Sequence, residues 1–248
     1  MSLDAAQRAL LSRILRLTNG EAVAVKELQG SVKMTSEVFD AIMNQLEDGG
    51  LVKVTEGLIE LELEQRLEIA KLAVAAGVDF ETVSRSLDWL EFEELCAKVF
   101  EENGFRVLRR FRFTSEGRRW ELDLLAMRTP YLICGECKHW EQGMGNQTAK
   151  RIVEIHMEKV EVFSRQIDAL KERIKVMKWV KATIVPIVLT LSATPLEIYR
   201  CVPAVSVLSL PGFLDEFDGQ LDRLAHFKIE MSPIEPKLKQ TTLRKKRV

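Results

Sequence analysis

The stretch YLICGECKHW, residues 131–140, places two charged side chains in a run that otherwise has the composition of a buried strand. Charged side chains are rarely buried unless they are paired or bind a ligand. Successive side chains of a strand point to opposite faces, so Glu136 and Lys138 share one face. Cys134 and Cys137 flank Glu136, which leaves three interpretations open: half of a zinc site, a surface ion pair, and half of an active site.

The two cysteines do not favour the zinc interpretation. A zinc knuckle that starts from Cys134-x-x-Cys137 needs a second pair of ligands, and the sequence has no second Cys-x-x-Cys pair. Residues three apart on a strand also point to opposite faces, so these two thiols do not converge. Four cysteines in 248 residues do not make a disulfide framework, and reduced thiols in a cytosolic protein are expected.

A preceding strand, WELDLLAM at residues 120–127, is joined to this one by Arg-Thr-Pro, which predicts a hairpin folded about residue 129. This hairpin places Asp123 opposite residues 135–136, and a shift of one residue makes Asp123 and Glu136 cross-strand neighbours. Two adjacent carboxylates resist ionisation unless a cation lies between them, and hard oxygen ligands favour Mg²⁺ or Mn²⁺. Lys138 would then hold the attacking water or stabilise charge on a phosphate.

The helix before these strands supplies a further acidic candidate. Asp88 and Glu91 have the capping-box spacing, so a helix is predicted from about residue 89 to residue 103, with Gly104 as its stop. Its buried stripe consists of Phe92, Leu95, Cys96, Val99 and Phe100. With about 100° between successive residues, Glu93 lies at the edge of that stripe and Glu94 lies on the solvent side.

Three segments together carry a family resemblance: FEELCAKVFEENGFRVLRR (92–110), ELDLLA (121–126) and ECKHW (136–140). They are similar to the PD-(D/E)xK nuclease superfamily, the restriction-endonuclease-like fold, and within it to archaeal Holliday-junction resolvases and Mrr-type restriction endonucleases. The resemblance implies that Asp123 and Glu136 bind metal and that Lys138 assists the water. It also implies that Glu93, on the preceding helix, supports the metal site. Leu122 replaces the proline of the motif's name, as in many members of these families.

Several other residues are candidates for phosphate contact. The loop TSEGRR contains Ser115, Arg118 and Arg119, in a region where such nucleases often carry substrate-binding residues. Lys150 and Arg151 stand near the start of a long helical pattern and are expected to face the nucleic acid.

That helical pattern covers residues 148–180, and its apolar residues recur by threes and fours. It predicts either a core helix or the seam of a dimer, and nucleases of this superfamily are commonly dimers. Further elements are predicted from three segments: two strands at ATIVPIVLTLS (182–192) and VPAVSVLSL (202–210), and a helix at FLDEFDGQLDRLAHF (213–227). A nuclease domain of class α/β, with a mixed sheet flanked by helices, is therefore predicted at residues 89–230. A basic and disordered tail is predicted at residues 231–248.

Residues 1–65 are predicted to form a mainly helical domain. Helices are expected at residues 4–18, at residues 25–32 and after Thr35. The segment LEDGGLVKVTEGLIEL (46–61) resembles the helix-into-wing part of the winged-helix family. The third helix, TSEVFDAIMNQLED (35–48), has no Lys or Arg and four acidic residues, which favours contact with a protein or a second copy over DNA binding. Residues 66–88 are predicted to be a helical linker.

Composition and charge fit a soluble protein with a polyanionic partner. Apolar residues make up 46%, and no apolar run approaches the roughly 18 residues of a membrane span. The N-terminus shows no basic segment followed by an apolar one, so no signal peptide is expected and the predicted location is cytoplasmic. Residues 1–88 carry 9 basic and 15 acidic residues, whereas the remainder carries 27 and 22, which places a polyanion nearer the C-terminal part.

The sequence thus predicts a Mg²⁺-dependent (or Mn²⁺-dependent) DNA endonuclease of DNA repair, recombination or restriction. A homodimer is expected, with a protein partner bound through the winged helix. Two alternatives stay open at this point: a non-catalytic DNA-binding or scaffold protein that keeps the fold, and a winged-helix transcription regulator.

Overall fold

The N-terminal part forms a small helical core. The structure, a computed structural model, describes residues 3–138, 146–191 and 198–232. The first elements are α1 (Leu3–Leu17), β1 (Val23–Ala24), α2 (Val25–Gly30), α3 (Ser36–Asp48), β2 (Val54–Thr55) and β3 (Leu58–Ile59). The three strands pair antiparallel in the order β1-β3-β2. The three helices are confirmed, and the Thr35 hydroxyl caps α3 by accepting from the Val38 N–H at 3.5 Å. The assignment to the winged-helix family stays a prediction.

Two more helices, α4 (Leu63–Ala75) and α5 (Phe80–Ser84), occupy the segment predicted as a linker. Their side chains Leu67, Ile69 and Val83 are buried in the same apolar core as those of α1 and α3. Packing is therefore continuous across residue 65, and the domain boundaries stay a prediction.

A mixed sheet of seven described strands forms the centre of the C-terminal part. The elements are α6 (Trp89–Glu102), β4 (Arg106–Ser115), β5 (Arg118–Arg128), β6 (Tyr131–Lys138), α7 (Asn146–Arg165), α8 (Ile167–Leu170), β7 (Lys181–Thr190), β8 (Ile198–Tyr199), β9 (Val202–Ser206), α9 (Leu210–Asp215), α10 (Phe217–Gln220), a 3-10 turn (Leu221–Arg223) and β10 (Phe227–Glu230). The order is β4-β5-β6-β7-β9-β8, and β10 also pairs with β7. Strands β4, β5 and β6 are antiparallel, whereas β6, β7 and β9 are parallel. The predicted α/β class with a mixed sheet is confirmed.

Helices cover both faces of this sheet. On one face α6 packs with α9 and α10, and Phe92, Phe100 and Phe217 are fully buried there. On the other face α7 contributes Phe163, whose ring lies 5.6 Å from that of Phe113 between centroids. The candidate site lies at one end of this three-layer arrangement, where α6 and α7 reach the same strands.

The start and end of α6 follow the sequence signals. The Asp88 carboxylate accepts a hydrogen bond from the Glu91 N–H at 2.8 Å, and the Glu91 carboxylate accepts one from the Asp88 N–H at 2.7 Å. Gly104 follows the helix with a φ of +78°, a conformation that glycine adopts at little cost. The predicted capping box and stop signal are confirmed, and they fix where α6 presents Glu93.

The long helical pattern at residues 148–180 forms a shorter helix than predicted. Helix α7 ends at Arg165, and α8 and a series of turns follow. The apolar residues that continue the pattern, Ile167, Leu170 and Ile174, are buried against the sheet from these turns. The spacing of these apolar residues therefore arises from their contacts with the core. It does not indicate one continuous helix.

The predicted final helix, at residues 213–227, is also divided. It forms the second half of α9, then α10 and the 3-10 turn, and Phe227 already begins β10. Gly219 lowers the helical propensity of this segment by roughly 1 kcal/mol relative to alanine. With weak helical propensity, tertiary packing determines the structure of this segment, and it forms short helices in place of one long helix.

Two predictions involve or adjoin residues that the structure does not describe. The basic tail predicted at residues 231–248 is described only to Ser232, and the start of the helix predicted near Lys150 is described from residue 146. Within the described ranges, none of the helices has the length and apolar character needed to cross a membrane.

Candidate active site

The hairpin of β5 and β6 sets the position of the predicted carboxylates. Its ladder runs from Arg128 opposite Tyr131 to Leu124 opposite Gly135. Extending this register by one step places Asp123 opposite Glu136, which is the shifted register considered from the sequence. The ladder ends before that step, so the two strands separate where the two acidic residues meet.

The ladder between β4 and β5 is interrupted at the same level. Arg109 pairs with Leu124 and Phe111 pairs with Leu122, whereas no pairing joins Arg110 to Asp123 between them. The backbone of Arg110 has a φ of +50°, which is unusual for a residue other than glycine and marks a local distortion of the strand.

This distortion redirects the Asp123 side chain. Leu122 and Leu125 both pack toward α7, whereas Leu124 packs toward α6, so the regular alternation of β5 changes at Asp123. The Asp123 carboxylate accepts a hydrogen bond at 2.8 Å from the backbone N–H of Cys137, which fastens it between β5 and β6. Asp123 is only 7% exposed.

Glu136 lies against two lysine side chains and a histidine. Its Oε1 lies 2.8 Å from Lys138 Nζ, and its Oε2 lies 2.5 Å from Lys159 Nζ on α7. His156 Nδ1 lies 3.4 Å from the same Oε2. Burial alone would raise the pKa of Glu136, but His156, Lys159 and Lys138 together outweigh it and hold that pKa well below its usual range.

His156 has a defined orientation beneath Glu136. The residue is fully buried, and its Nε2 lies 2.9 Å from the carbonyl oxygen of Cys134. A carbonyl oxygen only accepts, so Nε2 carries the donated proton and Nδ1 is the nitrogen that faces Glu136.

Glu93 approaches from α6 on the other side of Asp123. It is 2% exposed, and neither of its carboxylate oxygens has a hydrogen-bond partner among the described residues. The nearest cation is Arg110, whose Nε lies 3.4 Å from Glu93 Oε2. Burial raises the pKa of Glu93 to about 7, and repulsion from Asp123 adds to the shift. Burial, followed by the charge of Glu136, likewise raises the pKa of Asp123.

The choice of Glu93 over Glu94 agrees with where the two side chains lie. Glu94 does not face solvent as predicted, because it forms two hydrogen bonds of 2.6 Å with the Arg109 guanidinium. Glu93 is the carboxylate that adjoins Asp123, and Glu94 is occupied by a structural ion pair.

The raised pKa of Glu93 predicts a pH-dependent stability. A folded-state pKa of about 7, above the ordinary 4.5, means that the folded chain holds this proton more tightly than the unfolded chain. The contribution of this proton to the free energy of unfolding is therefore fully present below about pH 4.5. It is lost as the pH rises through about 7. Since one pKa unit corresponds to about 1.36 kcal/mol, Glu93→Gln should stabilise the metal-free protein at pH 8 by on the order of 3 kcal/mol, with little effect at pH 4.5.

Urea unfolding at several pH values measures this difference. Glu102→Gln, an exposed position on the same helix, is the matched control and should behave as wild type. Equal pH dependence of wild type and Glu93→Gln would show that Glu93 ionises without cost.

The predicted phosphate-contacting residues are distributed over two faces. Ser115 is buried and pairs with Arg118 on the side of α7. Arg118 lies 3.8 Å above the Trp120 ring and 3.0 Å from Glu158 of α7. Arg119 alternates to the other face of β5 and is exposed. The structure therefore separates Arg119 from its two predicted companions.

The predicted pair at the start of α7 is exposed. Lys150 Nζ lies 5.5 Å from the centre of the Tyr199 ring, and Arg151 faces solvent. The four predicted site residues, in contrast, lie close together at the fork of β5 and β6: Glu93, Asp123, Glu136 and Lys138.

Two residues of this site, His156 and Lys159, were not found from the sequence. His156 occupies the apolar stripe that contains Val153, Val160 and Phe163, at spacings of three and four residues. The signal that could have indicated His156 was a histidine inside an otherwise apolar stripe. Lys159 lies one helical turn further on.

The segment that contains the candidate site is similar to a known protein family. Residues 84–171 match the Mrr_cat family, described as "Restriction endonuclease". This segment therefore resembles a restriction endonuclease domain of the Mrr_cat type. It contains the whole fork, together with His156 and Lys159 of α7. The resemblance to Mrr-type endonucleases predicted from the sequence is confirmed for this segment, and the resemblance to Holliday-junction resolvases stays a prediction. No curated protein matches the chain.

Solved structures show only distant similarity to the chain. A "Protein of Unknown Function AF1548" is 18% identical over 52% of this chain and 66% of its own, with a TM-score of 0.33. Can2 from Sulfobacillus thermosulfidooxidans, in complex with cyclic tetra-adenylate, is 12% identical over 85% and 50%, with a TM-score of 0.34. Restriction endonuclease FokI is 14% identical over 86% and 44%, with a TM-score of 0.35. The chain thus spans two thirds or less of each structure, and values this low assign neither activity nor substrate.

Proposed function

We propose that this protein is a DNA endonuclease that requires Mg²⁺ or Mn²⁺. The observation that carries the proposal is Glu93, whose two carboxylate oxygens are buried without a hydrogen-bond partner among the described residues. They lie beside Asp123, in a domain of a restriction endonuclease family. A buried carboxylate without donors is costly unless a ligand satisfies it.

The donor set fits a hard divalent cation. Within the described ranges, no group of three or more Asp, Glu, His or Cys side chains already converges as a metal cluster. Mg²⁺ does not require such a cluster, because it keeps several waters and uses one or two carboxylates. Glu93 and Asp123 would hold the ion, and Glu136 would join them. A bound cation would offset the repulsion between the carboxylates and polarise the phosphoryl oxygen.

Lys138 is the proposed catalytic cation of this chain. Its side chain is 28% exposed, so the ammonium group can reach a phosphate at the mouth of the site. Burial alone would lower the pKa of Lys138, but Glu136 reverses this and keeps the pKa above its usual value. Lys138 is therefore charged at neutral pH and can stabilise negative charge on the phosphate or orient the attacking water.

Lys159 and His156 are proposed to position Glu136 and not to act on substrate. Both approach Glu136 Oε2 from α7, and Lys138 approaches Oε1 from the same strand as Glu136. These contacts limit the rotamers that Glu136 adopts and keep it ionised.

Replacing Lys159 tests this role. We expect Lys159→Ala to lower kcat on the order of tenfold with little change in KM, because a loosened Glu136 binds metal in fewer productive arrangements. Lys159→Arg should recover part of the loss. Arg165→Ala, an exposed position on the same helix, is the control. A large rise in KM alone would instead indicate that Lys159 contacts the substrate.

The remaining assignments are extensions of this proposal. We propose DNA repair, recombination or restriction as the setting, and a homodimer as the active form. The acidic α3 suits a protein partner better than DNA, so a winged helix at residues 1–65 would recruit or dimerise. The four cysteines are free, which suits the reducing cytoplasm.

Cleavage of labelled DNA tests the proposed function. Duplex, flap, single-stranded and four-way-junction DNA are incubated with the protein in Mg²⁺, in Mn²⁺ and in chelator. Metal-dependent cutting of at least one substrate is expected, and the preferred substrate would indicate the pathway. Binding without cutting of any substrate would favour a non-catalytic scaffold.

A further inference from the structure

A groove of about 490 Å³ lies near the turn of the hairpin formed by β4 and β5. Its lining includes Arg112, Thr114, Arg119, Trp120, Glu121 and Arg173. We call it the arginine groove. Arg112 pairs across the hairpin with Glu121, and Thr114 pairs with Arg119.

The arginine groove adjoins the candidate active site. Glu121 lies two residues before Asp123 on β5, a separation of roughly 7 Å along a strand. The charge of Glu121 also contributes to the raised pKa of Glu93. Arg110, which contacts Glu93, precedes Arg112 by two residues on β4. A strand of nucleic acid leaving the fork in this direction would therefore enter the groove.

The groove has a net positive charge, because its three arginines outnumber its one acidic residue, Glu121. Arg119 is exposed and forms no ion pair within the described ranges. Arg112 pairs with Glu121 at 2.5 Å, but its side chain is 75% exposed. An exposed pair of this kind contributes little to stability, so a phosphate can replace Glu121 as the partner of Arg112 at little cost.

Arg173 adds a positive group that is already held in place. Its guanidinium donates to the Arg112 carbonyl oxygen at 2.6 Å and lies 4.9 Å from the centre of the Phe111 ring. A guanidinium has five N–H donors, so others remain for a ligand. Donors and positive charge together characterise a site for anions.

We propose that the arginine groove binds the phosphate backbone of the DNA strand next to the scissile phosphate. Arg112 and Arg119 make the contacts, and Arg173 supports them. The proposal rests on the proposed function, since it takes DNA as the substrate of the neighbouring site. It keeps Arg119 from the contact surface expected from the sequence and leaves out Ser115 and Arg118, which pair on the side of α7.

The test compares two double variants with the same loss of charge. Arg112→Ala/Arg119→Ala removes the groove contacts, and Arg85→Ala/Arg165→Ala removes two exposed, ion-paired arginines elsewhere. Binding of a labelled oligonucleotide is measured by fluorescence anisotropy in chelator, over a range of salt concentrations. Thermal unfolding of both double variants shows whether each is folded.

The groove variant should bind DNA on the order of tenfold more weakly than the control variant. The slope of log affinity against log salt should fall by about 1.4–1.8, because each lost phosphate contact contributes about 0.7–0.9. Equal affinity and slope for the two double variants would overturn the proposal, and so would a wild type that does not bind DNA.

A parallel cleavage assay separates this proposal from the proposed function. If wild type cuts DNA and the groove variant binds as the control does, the groove proposal fails and the nuclease stands. If wild type binds through the groove but never cuts with any metal, the nuclease proposal fails and the groove stands.

Discussion

Replacing Lys138 with alanine is expected to reduce the rate of DNA cleavage about 10²- to 10³-fold while DNA binding stays nearly unchanged. The ammonium group lies 2.8 Å from Glu136 Oε1 and is partly exposed at the mouth of the site. Loss of a single positioned group that stabilises transition-state charge typically costs this factor. Binding survives because most phosphate contacts are made elsewhere along the strand.

Single-turnover cleavage at saturating protein measures this effect without a contribution from binding. Lys138→Arg should retain part of the rate, since it keeps the charge but not the compact geometry of an ammonium group. Lys228→Ala, an exposed position on β10, is the control and should cleave as wild type. A Lys138→Ala protein that cleaves at the control rate would remove Lys138 from the site.

The largest effect on stability is expected from Arg66→Ala. Arg66 is 3% exposed and forms an ion pair with Glu91, another buried residue. Its guanidinium also donates to the carbonyl oxygens of Leu15 and Ser86, at 2.9 and 2.7 Å, and to the Thr18 hydroxyl at 2.7 Å. Removing one partner of a buried pair leaves the other charge uncompensated, so a loss of about 3–5 kcal/mol is predicted.

Urea unfolding of the full chain measures this loss. Lys98→Ala, which breaks the ion pair of α6 with Glu64 on α4, should cost less than about 1 kcal/mol because Glu64 is exposed. Comparable small losses for both variants would show that Arg66 does not hold the helices together.

The sequence predicted the parts of the site that depend on local patterns. The alternation of β5 and β6, the short connection and the capping box of α6 are properties of neighbouring residues. They determine the hairpin register and the presentation of Glu93. Together they place Asp123, Glu136 and Glu93 near one another before any tertiary contact is known.

The remaining features depend on contacts between distant segments. Alternation alone does not predict that β5 changes face at Asp123, because that change arises with the distortion of β4 at Arg110. Lys159 reaches Glu136 only because α7 docks across the parallel part of the sheet. The side chains Ser115 and Arg118 were grouped with Arg119 as one loop, whereas the hairpin continues to the turn and alternates them between its faces.

Cleavage of one labelled DNA by wild type and by Asp123→Asn, in Mg²⁺ and in chelator, is the most direct test of the proposed metal-dependent site. Asparagine keeps an oxygen that can accept from the Cys137 N–H, so the fork should stay intact while the carboxylate is lost. A metal site that depends on the Asp123 carboxylate should give cutting by wild type in Mg²⁺ only, and none by Asp123→Asn. Cutting in chelator, or equal cutting by a folded Asp123→Asn protein, would contradict it.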